Sequence, residues 1–487
     1  MSAVSRSAYP STPSSNVSPR LSPMQEFFQG KNVFITGGSG FMGKILLEKL
    51  LRACPNLGSV FLLLRSKKGV SPTERVQELL QSNVFERVRR ECGAAALNHV
   101  TAVEGDIDSP GLGLSAEDRA NLCSNVHVVF HVAATVRFDE RLKTALRTNL
   151  GGTRSVLQLA PYSNAPRIDI DEKVYPPPVD PGNLISSMDW LSEEQFDILA
   201  PTLISAWPNS YAFSKMLAEN LVTQQCSDLP VAIFRPAIVT STHMEPMPGW
   251  VDNMNGPAGI TVGAQVGVIR CFRCDSKLVV DLVPEPKVYN FVSSSQKPLR
   301  WFEYVRYCEE HGLRHPSHQA IWYYMLLMTP HRRLFQLLAL FLHELPARAL
   351  DLASAALGRP QKMMKMYAKI DKFNDLMSYF TTRQWNFTDR NVRTLYQALS
   401  PEDRALFPFD LSTISWAPYI HNYMAGIRLH LLHEKPDNLK AARSKFFMLY
   451  LLHRGVQLGL VYGILRLTMG IASFLRRTRN PENIISH

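Results

Sequence analysis

The chain has 487 residues, with 53 lysine and arginine side chains against 42 acidic ones, and its formal net charge is +11. Hydrophobic residues make up 46% and charged residues 20%, a globular composition that excludes collagen-like and wholly disordered proteins. The length suggests about three structural units. Lysine and arginine are spread along the chain rather than clustered with aromatic residues. The positive charge therefore favours an anionic cofactor or a membrane surface over nucleic acid.

The cysteines and the N terminus limit the class of protein further. The seven cysteines are scattered and odd in number, which indicates a reducing compartment rather than a secreted disulfide scaffold. Residues 271–274 form an isolated C-x-x-C, which we interpret as two ordinary thiols rather than a zinc site, so no metal is predicted. Residues 1–30 are predicted to be a disordered leader, because the first 23 are rich in serine and proline and carry no apolar run.

A strand, a glycine-rich turn and a helix open the first organised region. Residues 31–36 are mostly apolar, and residues 44–52 place leucine and isoleucine at helical spacing. The turn between them contains Gly37, Gly40, Phe41, Met42 and Gly43. Unpaired N–H groups at a helix start favour a pyrophosphate, and glycines let it approach closely. The turn predicts a dinucleotide site, with a plain tight turn as the alternative.

The residues that follow the second apolar run, 60–64, indicate which dinucleotide is bound. Residues 60–64 are followed by Arg65, Ser66, Lys67 and Lys68. An acidic residue here would bind the ribose 2′-hydroxyl of NAD, whereas cations suit a 2′-phosphate. We therefore predict NADPH, with Arg65 as its phosphate ligand. The alternative is that these cations form a solvated loop.

Two more strands are expected at the spacing of an α/β repeat, over residues 99–106 and 126–132. The second of these runs is apolar throughout its centre, which is typical of a strand buried on both faces. The small Ala133 after it would let a cofactor pass close to the backbone. We interpret His127 and His131 as structural histidines at this strand rather than as ligands.

Tyr211 and Lys215 lie four residues apart, and therefore on one face of a helix. A lysine there can lower the pKa of the tyrosine hydroxyl and bind the nicotinamide ribose, so that Tyr211 donates a proton as hydride arrives. Because Y-x-x-x-K is common by chance, its position in the chain is what supports a catalytic interpretation. It lies downstream of the glycine turn and upstream of residues 231–236, which predict another buried strand.

Together these motifs resemble the extended short-chain dehydrogenase/reductases, and within them the alcohol-forming fatty acyl-CoA reductases. In the first half the resemblance rests on residues 36–43, 62–65, 105–107, 132–134, 149–153, 175–178 and 234–236, and on Tyr211 with Lys215. In the second half it rests on residues 369–370, 385–387, 403–404, 407, 409–410 and 416–419. The resemblance covers nearly everything after residue 30.

The resemblance implies an α/β fold, with a Rossmann-like doubly wound parallel sheet, a mostly helical C-terminal domain and a hydrophobic tail. It implies an enzyme that reduces long-chain fatty acyl-CoA with NADPH to the aldehyde and then to the primary alcohol, releasing CoA. By the same resemblance the three glycines hold the pyrophosphate, Arg65 the 2′-phosphate, and Asp106 with Ile107 the adenine. Tyr211 is then the acid and Lys215 its partner.

The predicted domains are a reductase domain at 31–300, membrane-associated helices at 301–360, the family's C-terminal domain at 361–435 and a membrane-associated tail at 436–487. In the tail, residues 446–475 are mostly apolar but are interrupted by His453, Arg454 and Arg466. These residues are long enough to span a bilayer, and we predict that they either span it or lie on it as an interfacial helix pair. The alternative is a buried helix of a soluble protein.

A second apolar region, residues 321–342, is predicted to form a helical hairpin that touches the bilayer or covers an acyl tunnel. The predicted partners are thus a long-chain acyl-CoA and a lipid membrane. The predicted location is a membrane of the endoplasmic reticulum or peroxisome, with the catalytic domain facing the cytosol.

Two segments of the family pattern are missing. No apolar strand lies between the helix predicted over 144–160 and Tyr211, where related enzymes have a strand ending in a serine or threonine that binds the substrate carbonyl. Ser163 is a weak substitute. A helix after residues 281–284 is also missing. We expect either that strand 231–236 pairs with strand 126–132 or that the sheet splits. A pseudoenzyme that binds NADPH and membrane without turnover is therefore the alternative function.

Overall fold

The structure is a computed structural model. It describes residues 21–159, 177–204, 207–225, 231–236, 238–278, 288–383 and 388–479. The strands are β1 (Val33–Thr36), β2 (Val60–Leu64), β3 (Val100–Glu104), β4 (Val128–His131), β5 (Ile233–Pro236), β6 (Cys271–Arg273), β7 (Val288–Phe291) and β8 (Leu327–Thr329).

The helices of the N-terminal half are α1 (Pro23–Phe28), α2 (Phe41–Ala53), α3 (Pro72–Gln81), α4 (Glu86–Cys92), α5 (Ala116–Asn125), α6 (Leu142–Leu146), α7 (Gly152–Leu157), α8 (Pro181–Trp190), α9 (Glu193–Leu203) and α10 (Ser210–Gln225). Those of the C-terminal half are α11 (Pro257–Gln265), α12 (Trp301–Arg314), α13 (Arg332–Ala339), α14 (Leu345–Ala356), α15 (Met363–Thr381), α16 (Arg390–Ala398), α17 (Pro401–Leu406), α18 (Trp416–Gly426) and α19 (Leu439–Arg479). A π-helical turn joins α6 to α7, and another joins α13 to α14.

β1 to β4 form a parallel sheet in the order β3-β2-β1-β4. Successive residues point to opposite faces. On one face, Val33 and Ile35 of β1 join a core with α2, α3 and α4, whereas Phe34 points to the other face and packs with residues of α5 and α7. Both faces are covered, as the continuous apolar runs predict for a doubly wound parallel sheet.

The sheet is split, which is the second of the two outcomes expected for a missing central strand. β4 pairs with β1, and within the described ranges no strand pairs with its other edge. β5 pairs instead with β7 in a separate two-stranded sheet. The prediction of strands buried on both faces is therefore wrong for two runs. β4 is half-buried along its length, and in the 231–236 run Phe234 is 53% exposed, since neither strand has the neighbours that would cover it.

Part of the segment predicted to be a disordered leader is helical. Residues 23–28 form α1, whose start is a capping box at Ser22. Phe28 is buried in the core beside α2, and the backbone N–H of Met24 donates to the carboxylate of Asp403 at 3.3 Å. Residues 21–30 are thus ordered through tertiary packing, and residues 1–20 lie outside the described residues.

The C-terminal half is mostly helical, with α12 and α18 packed around a core that includes Tyr304, Tyr423 and Met424. The predicted hairpin at 321–342 is wrong in its first arm. Residues 327–329 form β8 beside β6, and helix begins only at Arg332. The backbone of β6 supplies hydrogen-bond partners for residues 327–329, which local helix propensity did not reveal.

Helix α19 is 41 residues long and continuous, so it is one helix rather than a pair. The helical stretch Pro436–Ser473, which includes most of α19, is long and apolar enough to cross a membrane, and none of its most apolar part is buried against the protein. An apolar segment left exposed by the described part of the protein argues against the alternative of a buried soluble helix.

Candidate active site

The glycine turn forms a tight cradle between β1 and α2. Gly37 has φ +75°, and a Cβ atom there would lie 2.6 Å from the backbone nitrogen of Ala133, after β4. A Cβ at Gly43 would lie 2.2 Å from the carbonyl oxygen of Gly37, so backbone fills that space. At Gly40, by contrast, the nearest atom to a Cβ is 3.3 Å away. The turn therefore requires glycine at 37 and 43, while Gly40 leaves room beside the first N–H groups of α2.

The other predicted cofactor residues lie at the same edge of the sheet. Arg65 follows β2 and Asp106 follows β3, and their side chains form an ion pair at 3.0 Å, which raises the pKa of the guanidinium. Arg65 is 59% exposed, so its side chain is free to turn toward a ligand. Ile107 lies against Gly152, where a Cβ would come within 2.5 Å of its Cγ1. The carboxyl ends of parallel strands are where ligands bind in such sheets.

The two remaining residues of the turn differ in environment. Phe41 stacks on Trp250 with ring centroids 5.2 Å apart, and this pair packs the start of α2 against the segment before α11. Met42 is exposed. Phe41 therefore stabilises the position of the helix start. Of Phe41 and Met42, only Met42 has a side chain that is exposed for contact with a cofactor.

His131, at the end of β4, links three elements of the site. Its Nδ1 is 2.7 Å from the hydroxyl of Thr36 on β1, and its Nε2 is 3.2 Å from the hydroxyl of Thr153 on α7. Burial, with the positive charge of Lys215 nearby, lowers the pKa of His131 to about 3. His127 likewise accepts a hydrogen bond from the backbone N–H of Asn32. Both histidines are held by protein groups, as the sequence predicts.

Tyr211 and Lys215 share one face of α10 and are half-buried. Burial raises the pKa of Tyr211, and the charge of Glu219 raises it further. Burial lowers the pKa of Lys215, which Glu219 partly offsets. The prediction that Lys215 lowers the pKa of Tyr211 is therefore wrong for the protein without ligand, because desolvation dominates. At neutral pH Tyr211 keeps its proton, as a general acid requires.

Asn149 joins α10, the helix of Tyr211 and Lys215, to the segment after β4. It lies in the π-helical turn between α6 and α7 and is completely buried. Its Oδ1 accepts from the backbone N–H of Thr135 at 3.0 Å, and its Nδ2 donates to the hydroxyl of Ser214 at 2.9 Å. The Ser214 hydroxyl donates in turn to the carbonyl of Tyr211. Reasoning from residue types assigned no role to Asn149 or Ser214. The available signal was a polar residue amid the buried leucines of the 144–160 helix.

An aromatic contact joins Tyr211 to the C-terminal half. The Phe138 ring lies 5.4 Å from that of Tyr211 and 5.5 Å from that of Phe380 on α15. Beside it, Lys372 and Asp139 form an ion pair at 3.1 Å. The tyrosine thus faces an apolar surface contributed by both halves of the chain.

Three features predicted from the sequence are not part of the described site: Ser163, the 175–178 motif and the C-x-x-C. Ser163 and the first two residues of the 175–178 motif lie outside the described residues. Cys271 and Cys274 are both buried, and burial raises the pKa of each thiol, that of Cys271 to about 12. In the described part of the chain, no group of three or more ligating side chains could hold a metal ion.

Two glycines of the turn give a matched test of its role. Gly40→Ala should leave the fold intact but add a methyl group beside the pyrophosphate position, so binding of a dinucleotide should weaken at least tenfold. Gly43→Ala should instead lower the unfolding temperature, because backbone occupies the Cβ position. Fluorescence titration and thermal unfolding of both variants separate the effects. Equal loss of stability in both would show that the turn is merely structural.

His131 should remain neutral well below the ordinary range of histidine. Because its pKa is lower in the folded state than in the unfolded state, protons bind the unfolded chain preferentially between about pH 6.5 and 3. The His131 contribution to the free energy of unfolding should therefore fall as the pH drops below about 6.5. We expect His131→Gln to show a shallower loss of stability between pH 6.5 and 5 than the unmodified chain. An identical slope in the two proteins, measured by denaturant unfolding, would contradict the assignment.

Comparison with known proteins identifies the family of the chain. Two family profiles, both described as "Male sterility protein", match residues 35–292 and 342–434, and the first is an NAD-binding profile. The chain is 37% identical to fatty acyl-CoA reductase 1 of Xenopus laevis over 94% of its own length and 95% of that protein. It is 35% identical to the human fatty acyl-CoA reductase 1 with the same coverage. It is also 35% identical to the Drosophila melanogaster fatty acyl-CoA reductase wat, over 89% of its length and 90% of that protein.

A solved structure shows the same fold. The terminal R domain from the myxalamid PKS-NRPS biosynthetic pathway superposes with a TM-score of 0.51. The match covers 84% of this chain and 92% of that one, at 18% sequence identity. The Rossmann-like reductase architecture inferred from the sequence is thereby confirmed.

Proposed function

Since the chain belongs to the fatty acyl-CoA reductase family, we propose that it reduces long-chain fatty acyl-CoA to a primary fatty alcohol with NADPH, releasing CoA. The observation that carries the proposal is the place of Tyr211 and Lys215. Their helix is held by Asn149 against the end of β4, close enough for Lys215 to lower the pKa of His131. This arrangement supports an acid close to the edge of the sheet where the glycine turn lies.

The residues present fit a nicotinamide dinucleotide with a 2′-phosphate. Gly37 and Gly43 allow the close backbone packing that forms the turn, Gly40 leaves room for a pyrophosphate beside the start of α2, and Arg65 carries an exposed cation at the end of β2. Arg65 pairs with Asp106 at 3.0 Å, so a 2′-phosphate would compete with this carboxylate for the guanidinium. When bound, the reduced nicotinamide supplies the hydride, once for each of the two reductions.

The protein's own groups supply the proton and the charge balance. Tyr211 donates its hydroxyl proton to the carbonyl oxygen as the carbon accepts hydride, first at the thioester and then at the aldehyde. Lys215, buried beside it, stabilises the phenolate that remains. Between the steps the C–S bond breaks and CoA leaves as the thiol. Overall, two NADPH and two protons convert one acyl-CoA to alcohol and CoA.

The surroundings of Tyr211 suit an apolar substrate at a membrane. Phe138 and Phe380 form an apolar surface next to the phenol. Helix α19 has the length and composition of a membrane span. We propose that α19 anchors the chain, with the catalytic half in the cytosol at the endoplasmic reticulum or peroxisome, where the alcohol leaves directly into lipid.

Tyr211→Phe tests the acid. The variant should lower formation of alcohol from a long-chain acyl-CoA by about 10²-fold or more, the usual contribution of a positioned acid. Its NADPH affinity should stay within about threefold. Tyr396→Phe, on α16, is the matched control and should leave turnover unchanged. Product analysis by gas chromatography and an NADPH titration measure both quantities. Loss of NADPH binding together with the fold would show that Tyr211 is only structural.

Arg65→Ala tests the choice of cofactor. Because a charge-assisted hydrogen bond contributes about 1.5–3 kcal/mol, NADPH affinity should fall roughly 10–100-fold while NADH affinity changes little. Lys67→Ala in the same loop is the matched control and should keep the preference for NADPH. Steady-state kinetics with both cofactors give the ratio. A ratio that does not change would assign Arg65 to a solvated loop.

A pseudoenzyme that binds cofactor and membrane is the second candidate, and the open edge of β4 favours it. The serine or threonine that related enzymes place there has no counterpart in the described residues beside Tyr211. The two functions are distinguished by incubating the chain with long-chain acyl-CoA and NADPH, beside a variant with a strand ending in serine inserted after residue 160. Alcohol from the unmodified chain supports the reductase. Alcohol only from the variant would establish the pseudoenzyme.

A further inference from the structure

A row of exposed apolar side chains runs along α13, the π-helical turn and α14. The row consists of Leu334, Leu337, Phe341, Leu345, Ala349 and Leu352, and we name it the α13–α14 stripe. Its spacing of three or four residues places all six on one side of the helix. Phe341 is 58% exposed and Leu352 is 72% exposed. A second row, including Phe335, Ala339 and Ala347, is buried against the protein.

The stripe lies next to the point where α19 leaves the folded body. Arg270 donates to the carbonyl of Leu342 in the π-helical turn at 2.7 Å, and its guanidinium lies 5.7 Å from the ring of Trp322. The indole N–H of Trp322 donates in turn to His453 of α19 at 3.1 Å. His453 is buried, whereas almost all of the helix from Arg454 to Ser473 is exposed. Two side chains, those of Arg270 and Trp322, therefore connect the π-helical turn beside the stripe to His453 of α19.

The length of α19 places the bilayer at this level. The 20 residues from Arg454 to Ser473 extend about 30 Å, the thickness of a hydrocarbon core. If they span it, the bilayer surface lies near Arg454. Trp322, Tyr323 and Tyr450 surround this position, and such aromatic residues are typical of the membrane–water boundary.

The charge around the stripe suits a lipid surface. Residues 331–362 contain five lysine and arginine residues and two acidic ones. Arg332 and Arg333 are exposed at the start of α13. Of the two carboxylates, Glu344 pairs with Arg348 at 2.8 Å, and Asp351 accepts backbone N–H groups of residues 362–364. An exposed apolar row flanked by exposed cations is the pattern of a helix that lies in the interface of an anionic bilayer.

We propose that the α13–α14 stripe inserts into the surface of the membrane that α19 spans, forming a second contact parallel to the bilayer. The inference rests on the proposed anchoring by α19. Two contacts fix the orientation of the folded body above the membrane, where a single helix would leave it free to rotate. The apolar side chains of the stripe occupy the headgroup boundary, and Arg332 and Arg333 bind lipid phosphates.

Photo-crosslinking of the full chain in lipid vesicles tests this. A benzophenone amino acid is introduced at Phe341 or Leu337 in the stripe, at exposed Gln336 as the matched control, and at Leu458 in α19. The vesicles contain phosphatidylcholine, about 20% of the anionic lipid phosphatidylserine, and an alkyne-tagged lipid. We expect lipid adducts at 341 and 337 at least fivefold above 336, and strong adducts at 458.

The outcomes separate the two proposals. Adducts at 458 with none above background at 341 and 337 would overturn the interfacial contact and leave the anchor in place. Adducts at none of these positions would overturn both. A crosslink from 341 to a second copy of the chain would show that the stripe is a protein interface instead. The charge contribution is tested with Arg332→Gln plus Arg333→Gln, which should lower adducts at 341 severalfold without changing those at 458.

Discussion

The buried amide of Asn149 is the contact on which the site depends. In a complete doubly wound sheet, a strand next to β4 would fix the helix that carries the acid. In the described residues β4 has an open edge, and α10 is positioned by side chains instead. The amide satisfies the backbone of Thr135 and the hydroxyl of Ser214 at once, and a buried polar group that lost such partners would cost about 1–3 kcal/mol. The π-helical turn presents this amide, as such turns often do at functional sites.

Burial and charge then define what the site can do. His131, Tyr211 and Lys215 are desolvated together, and each is pushed toward its neutral form. A neutral His131 avoids a second positive charge near Lys215. A protonated Tyr211 is ready to act as an acid.

Motifs that are local in sequence were predicted well, and features that depend on neighbours were not. The glycine turn could be recognised because strand, turn and helix follow one another within about 20 residues, and close packing at Gly43 leaves no room for another residue. The exposure of Phe234 could not be predicted from the sequence, since it depends on which strand lies beside β5. Likewise residues 23–28 are ordered by Phe28 packing into a distant core, and residues 327–329 are extended because β6 pairs with them.

The amino-acid sequence by itself determined the α/β class, the dinucleotide turn, the spacing of Tyr211 and Lys215, the family and the apolar tail, because each is encoded in residues near one another in the chain. The tertiary structure alone decided that the described part of the sheet splits after β4, that Asn149 holds α10, and that the stripe on α13 and α14 lies near α19. These depend on contacts between residues tens to hundreds of positions apart, whose free energies are set by burial and pairing that no local pattern records.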